Sequence, residues 1–277
     1  MDRTVVITGT THGIGRVTAL ELARAGWRLV MLVRDTGAGA RVRQEIVAAV
    51  AGARVEVVDC DLASLDSVRR AAARVAAAVP VIHCLINNAG MVSMHHRASA
   101  DGFELVFATN HLGPFLLTEL LRDRVALRGR IINVASRVHF KGSLDLGEVP
   151  FSSPRRFRPL AAYARSKLAN VLHTFALARR LAERGIAVNC LHPGVVRTNL
   201  LPRWLRLIKP VVSPHMLDEV QGARTTLHLA LDDGAGNLHG AYVDADQTVR
   251  PAAPLAQSVA LQEALWHTSR VWVGLSK

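Results

Sequence analysis

Seven short apolar runs recur along this 277-residue chain, at Thr4 to Thr8, Arg28 to Val33, Arg54 to Val58, Cys84 to Asn87, Arg130 to Val134, Ile186 to Leu191 and Gly240 to Val243. None alternates cleanly between apolar and polar residues. A strand with one wet face must alternate, whereas a strand covered on both faces can be apolar throughout. Between the runs lie segments of helical composition: Gly15 to Gly26, Val42 to Val50, Leu65 to Ala78, Phe103 to Arg122, Ala161 to Arg184 and Asp218 to Leu231. Strand followed by helix, repeated in this way, is the pattern of a parallel sheet with helices on both faces. The expected fold is therefore α/β: one doubly wound domain over residues 1–277, with a mainly parallel sheet of about seven strands. No Pro/Gly/Ser-rich break suggests a linker.

In open parallel sheets, ligands bind beyond the carboxyl ends of the strands. Two irregular stretches, Arg137 to Pro159 and Thr198 to Leu217, follow directly on strands and are the expected substrate walls. Directly after the first strand stand Gly9, Thr10, Thr11, His12, Gly13, Ile14 and Gly15, leading into a helix. Glycines there permit a tight turn, let the backbone approach a pyrophosphate and allow close helix packing. The helix N-terminus adds N–H groups and positive dipole for the phosphates. A dinucleotide cofactor is expected.

Which dinucleotide turns on the residue ending the second strand, where an acid would hold the ribose 2′-hydroxyl. That residue is Arg34, whose guanidinium suits a 2′-phosphate, so NADP(H) is preferred. Asp35 follows immediately, and if it turns inward NAD(H) can be used. At the end of the third strand Asp61 and Leu62 are placed to meet the adenine, with Asp61 accepting from its amino group. The alternative for Asp61 is a helix N-cap, because Ser64 and Asp66 crowd the same turn.

Composition narrows the rest. Lys plus Arg number 34 against 22 Asp plus Glu, a formal charge of +12. The excess is dispersed as single Arg on alanine-rich helices, without the basic block or aromatic interleaving of a nucleic-acid module, so no nucleic-acid partner is expected. Cys60, Cys84 and Cys190 sit in or beside apolar runs with no metal-ligand spacing, and they read as buried thiols of a reducing compartment. No metal is expected. A first strand at Thr4 leaves no room for a signal peptide, and no apolar stretch approaches the roughly 20 residues that span a bilayer. A cytoplasmic location is expected.

With the glycine turn, Asn87-Asn88-Ala89-Gly90 and Tyr163-Ala-Arg-Ser-Lys167 standing in that order, the sequence resembles the short-chain dehydrogenase/reductase family over nearly its whole length. The resemblance implies a Rossmann-type sheet and a catalytic group of Asn110, Ser136, Tyr163 and Lys167. It also places Asn88, Ala89, Gly90, Tyr163 and Lys167 against the cofactor. Reducing a carbonyl leaves negative charge developing on oxygen, so an acid must donate a proton as the charge appears. Tyr163 is the expected donor. A phenol with a reference pKa of about 10 needs a nearby ammonium to favour its ionised form, and Lys167 lies one helical turn on. Ser136 would hydrogen-bond the substrate oxygen, and Asn110 would help hold a water that links Lys167 to solvent. Read singly, Asn110 can be a buried polar residue bonded to backbone, Ser136 a cap and Tyr163 a helix-surface aromatic.

The family also uses the turn His192-Pro193-Gly194-Val195-Val196-Arg197-Thr198 to seat the nicotinamide end, which implicates Pro193, Gly194, Val196 and Thr198; Thr198 can equally be an N-cap. Arg34-Asp35, Asn110-His111-Leu112-Gly113-Pro114-Phe115 and Ser166-Lys167-Leu168-Ala169-Asn170 resemble the branch containing the retinol dehydrogenases. That resemblance implies a lipophilic aldehyde, ketone or alcohol as substrate and a homo-oligomeric state. Ala135 stands where a second serine is common in the family. Leu201, Trp204, Leu205 and Ile208 fall on one helical face, with Arg203, Arg206 and Lys209 towards another. That face reads as a lid around 198–217 over the substrate, or as peripheral membrane contact through 200–212. Two other activities remain open: a C=C reductase of the protochlorophyllide reductase type, and a non-catalytic dinucleotide-binding sensor or scaffold.

Overall fold

The computed structural model describes residues 3–147, 154–196 and 217–275. The first half runs β1 (Thr4–Thr8), α1 (Gly13–Arg24), β2 (Arg28–Val33), α2 (Thr36–Ala49), β3 (Val55–Asp59), α3 (Leu65–Ala78) and β4 (Ile82–Asn87). The second half runs α4 (Leu105–Phe107), a π turn (Ala108–Leu112), α5 (Gly113–Leu121), β5 (Val125–Val134), α6 (Pro159–Leu181), β6 (Ala187–Leu191), α7 (Glu219–Leu231), β7 (Tyr242–Val243), β8 (Val249–Arg250) and α8 (Val259–Trp272).

The strands form one sheet of order β3-β2-β1-β4-β5-β6-β7-β8. All pairs are parallel except β7 with β8, which are antiparallel. The short edge strand β8 is the addition to the expected set. Order reverses between β1 and β4, which opens a crevice at their carboxyl ends.

Two apolar cores explain why the strand sequences do not alternate. Val5 and Ile7 of β1 enter the core beneath α1, α2 and α7, while Val6 enters the core beneath α3, α5, α6 and α8. Both sets are fully buried, so every position of the strand must be apolar or satisfied.

Two local expectations change, and the alternative offered for Asp61 falls away. The strand expected at Arg130 begins at Val125, and its extension carries a register shift against β4. Asp61 does not cap α3: Ser64 does, accepting from the Ser67 N–H at 3.3 Å, while Asp61 Oδ1 accepts from the Ala63 N–H at 2.9 Å. The helix expected from Phe103 to Arg122 is broken by the π turn, with Asn110 at its centre. A π turn inserts one residue into the α-helical ladder and so re-aims the side chains it carries. No described helix is long and apolar enough to cross a membrane.

Candidate active site

A cleft of about 1140 Å³ lies beyond the carboxyl ends of β1, β2, β4, β5 and β6. One end is the glycine turn. Gly9 has φ of +73°, and a Cβ on Gly15 would stand 2.1 Å from the Gly9 carbonyl oxygen and 2.4 Å from Asn88 Nδ2. Only a glycine lets α1 start so close to the turn. His12, at the N-cap position of α1, makes no capping hydrogen bond, and the first turn contains no acid. The N–H groups of that turn therefore face the cleft without a side-chain acceptor from their own cap, as a phosphate site requires.

Asn88 staples this turn to β4. Its Nδ2 donates to the carbonyls of Thr8 at 2.9 Å and Gly9 at 3.0 Å, while Thr8 Oγ1 accepts from the N–H groups of Asn88 and Ala89, both at 3.0 Å. Thr8 was not singled out from the sequence. Its hydroxyl is a tertiary partner 80 residues from Asn88. Gly9, Thr11, His12, Gly13, Ile14, Gly15, Arg34, Asp61, Leu62, Asn88, Ala89 and Gly90 all line the cleft, as do Pro193, Gly194 and Val196. Thr198 lies outside the described residues.

Arg34 is exposed at the cleft edge. Asp35 has a different occupation: it caps α2, its Oδ1 accepting from the Ala38 N–H at 2.8 Å. A carboxylate engaged with a helix N-terminus is stabilised where it stands.

At the other end, Ser136, Tyr163 and Lys167 converge on the same cleft. Ser136 follows β5 and opens a 3-10 turn, Arg137–Lys141, its Oγ accepting from the Val138 N–H at 3.4 Å. Tyr163 and Lys167 project from the first turns of α6, and the Lys167 ammonium lies 5.7 Å from the centre of the phenol ring. Lys167 is 3% exposed, and its Nζ donates to the Val134 carbonyl at 2.7 Å. Burial pulls its pKa down to about 8. The phenol moves in the direction opposite to the sequence expectation. Burial pushes Tyr163 up to about 12, and its hydrogen bond with Ser136 pulls it partly back.

Asn110 lies behind this pair, fully buried. Its Oδ1 accepts from the Met91 N–H at 2.8 Å, and its Nδ2 donates to the Met91 carbonyl at 2.9 Å and to Ser166 Oγ at 3.0 Å. This is the arrangement of a buried polar residue bonded to backbone, and it ties the π turn to the loop after β4. A Cβ on Gly90 would stand 3.6 Å from this Oδ1 and 3.3 Å from Lys167 Nζ, so Gly90 lies against both groups.

Beneath the site runs a polar ladder that the sequence did not disclose. Asn87 Nδ2 donates to Thr118 Oγ1 at 2.9 Å and Asn133 Oδ1 at 2.8 Å, and Asn133 Nδ2 donates to Thr174 Oγ1 at 2.9 Å. It holds β4 and β5 to α5 and α6. The signal in the sequence was a polar residue at the same place in two apolar strands, Asn87 and Asn133, which pair in register.

Between the two ends the cleft wall is apolar: Met91, Val92, Met94, Val138, Phe157, Pro159, Leu160 and Val195. The chain leaves the described structure after Val196 and re-enters at Leu217, which pairs with Val196 and donates its N–H to the Val195 carbonyl at 2.8 Å. The segment expected as a lid or membrane contact falls almost wholly outside the described residues.

A family model described as short chain dehydrogenase matches residues 3–206. The chain is 36% identical over 291 residues to retinol dehydrogenase 13 of Homo sapiens, covering 99% of this chain and 85% of that protein. It is 38% identical over 281 residues to retinol dehydrogenase 12 of Homo sapiens, with 99% and 87% covered. Among solved structures it resembles an uncharacterized protein from Mycobacterium paratuberculosis, with a TM-score of 0.81, 35% identity and coverage of 98% of this chain and 93% of that one. It also resembles a blue fluorescent protein from a metagenomic library in complex with NADPH, with a TM-score of 0.72, 25% identity and coverage of 88% and 96%.

Proposed function

This chain belongs to the short-chain dehydrogenase/reductase family, in its retinol dehydrogenase-like branch, and on that premise we propose that it interconverts a lipophilic aldehyde or ketone and its alcohol with NADP(H). The observation that carries the reading is the convergence of Ser136, Tyr163 and Lys167 at one end of a cleft whose other end is the glycine turn.

The residues present fit the dinucleotide. The start of α1, without a side-chain cap, would hold the phosphates, and Gly15 supplies the close approach. Arg34 would pair with the 2′-phosphate, while Asp35, engaged in capping α2, is drawn away from the ribose. Asp61, Asn88, Ala89, Gly90, Pro193, Gly194 and Val196 complete the binding surface. Bound there, NADPH supplies the hydride.

Tyr163 donates its proton to the carbonyl oxygen as negative charge develops, and Ser136 holds that oxygen in line by a hydrogen bond. Lys167, charged at neutral pH and fixed through Val134, lowers the cost of the phenolate that remains. Asn110 keeps the Met91 loop and α6 in register around the pair. The apolar wall from Met91 to Val195 supports a lipophilic substrate, as do the names of the human relatives.

The cytoplasmic location, the homo-oligomer and the membrane contact of 200–212 belong to the same proposal; cell fractionation, light scattering and vesicle sedimentation read them. The decisive experiment is an NADPH-oxidation screen of lipophilic aldehydes and ketones, with identification of products. Alcohol products are expected. A saturated C–C bond beside an untouched carbonyl, or no hydride transfer to any substrate despite tight NADPH binding, would sink the reading.

A further inference from the structure

The turn that carries Ser136 is held from two sides. On one side it rests against α6: a Cβ on Gly142 would stand 2.7 Å from the Ala164 carbonyl oxygen. On the other side stands His139, fully buried, with its ring between two backbone groups. Nδ1 lies 2.7 Å from the Ser136 carbonyl oxygen, and Nε2 lies 3.1 Å from the Ala253 backbone nitrogen. A carbonyl can only accept and a backbone N–H can only donate. The ring is therefore the neutral tautomer with its proton on Nδ1, donating to Ser136 and accepting from Ala253.

This bridge links the serine to a segment more than 100 residues away in sequence. Ala253 is buried at the start of the 3-10 turn Pro254–Gln257, which leads into α8. The imidazole also packs on Tyr242 of β7, with ring centres 4.7 Å apart. Ser136 lies past the last β5 residue, so sheet hydrogen bonds do not fix its peptide plane with Arg137. Its Oγ accepts from the Val138 N–H at 3.4 Å, a long contact that leaves the hydroxyl loosely held. Two other anchors act on the turn: the His139 backbone N–H donates to the same Ser136 carbonyl at 3.1 Å, and Arg137 pairs with Asp244 through a side chain that is 69% exposed and holds it weakly.

We propose that His139 is a positioning residue: by bridging the Ser136 carbonyl to the Ala253 N–H it sets the peptide plane from which the Ser136 hydroxyl reaches the substrate oxygen and Tyr163. The inference rests on the role given to Ser136 above. It makes the 252–257 segment part of the active-site scaffold, though none of its residues lines the cleft.

The test compares His139→Phe, His139→Gln and His139→Asn, alone and with Ser136→Ala, by single-turnover NADPH oxidation and NADPH fluorescence titration. Phe fills the ring volume without either hydrogen bond; Gln keeps the acceptor for Ala253, and Asn keeps the donor to Ser136. Hydride transfer is expected to fall about tenfold or more for Phe, a loss of the size that follows removal of one buried hydrogen bond. NADPH affinity should stay within twofold, Gln and Asn should be faster than Phe, and Phe should cost less than twofold in the Ser136→Ala background. Phe as the fastest variant, or an equal cost in both backgrounds, would reduce His139 to a packing residue and overturn the proposal. An undiminished rate in Ser136→Ala alone would overturn the role given to the serine. A second arm needs no turnover: exchange of the Ala253 amide hydrogen should accelerate at least tenfold in His139→Phe and much less in His139→Gln. An unchanged exchange rate would show that the bridge does not hold the segment.

Discussion

Helix α6 carries two buried polar regions, six residues apart along the chain, and they behave in opposite ways. Around Lys167 the polar groups face the cleft: the ammonium is 3% exposed, yet its pKa falls only to about 8, so it is charged at neutral pH. Around His173 they face inward. His173 packs against Phe115 at 5.0 Å and Trp266 at 5.5 Å, beside His111, whose Nε2 meets Ser269 Oγ at 2.9 Å. Burial lowers His111 to about 3 and His173 well below the ordinary imidazole range. Both are neutral. The degree of burial is the same in the two regions, so burial does not separate a reactive group from a packing group. The separation comes from what lies on the open side: a cleft for Lys167, and for His173 the Trp266 ring, itself covered by Arg180 at 4.1 Å.

The largest expected effect that tests this contrast is at the cleft. Tyr163→Phe should lower turnover by about 10³-fold, within the range for removing a positioned acid, while melting temperature and NADPH affinity stay unchanged. Undiminished turnover would remove Tyr163 from the mechanism. The next is at the inner region. Trp266→Ala should cost about 3–4 kcal/mol in urea denaturation through the cavity it leaves, with turnover per folded molecule unchanged. A proportionate loss of turnover would join the two regions into one functional unit.

Lys167→Met should divide the two kinds of effect within one residue. Activity should fall while stability at pH 7 rises by about 1–3 kcal/mol, because a desolvated charge is replaced by an apolar chain. The sign follows from the protons bound: the folded lysine titrates near 8 and the unfolded one near 10.5, so between those values the unfolded state binds more protons and wild-type stability rises with pH. The advantage of the Met variant should therefore shrink from pH 8 to 10.5, and an advantage independent of pH would contradict the buried charge. Arg34→Ala has the smallest expected effect, about a tenfold rise in KM for NADPH with little change for NADH, as befits one charge-assisted contact at an exposed edge. Equal loss for both cofactors would detach Arg34 from the 2′-phosphate.

Much of the frame was legible because its signals are local. Leu65 to Ala78 reads as a helix from its own spacing, and the helix has those ends; Thr4 to Thr8 is equally plain as a strand. The break at Asn110 was not legible, since a π turn is selected by what Asn110 bonds to, Met91 and Ser166, rather than by residue propensity. Asp61 illustrates the same limit: three polar residues crowd the turn before α3, and only the folded chain assigns the cap to Ser64.

The order of strands and helices, the glycine turn and the spacing of Tyr163 from Lys167 were thus determined by sequence alone, because hydrophobic period, backbone freedom at glycine and the helical repeat act over a few residues. Which groups meet was decided by tertiary structure. The convergence of Ser136 with Tyr163, the closure of His139 on Ala253, and the different fates of Lys167 and His173 depend on desolvation and on partners brought from distant strands and helices. Those quantities are set by the surroundings of a residue, and its surroundings exist only once the chain has folded.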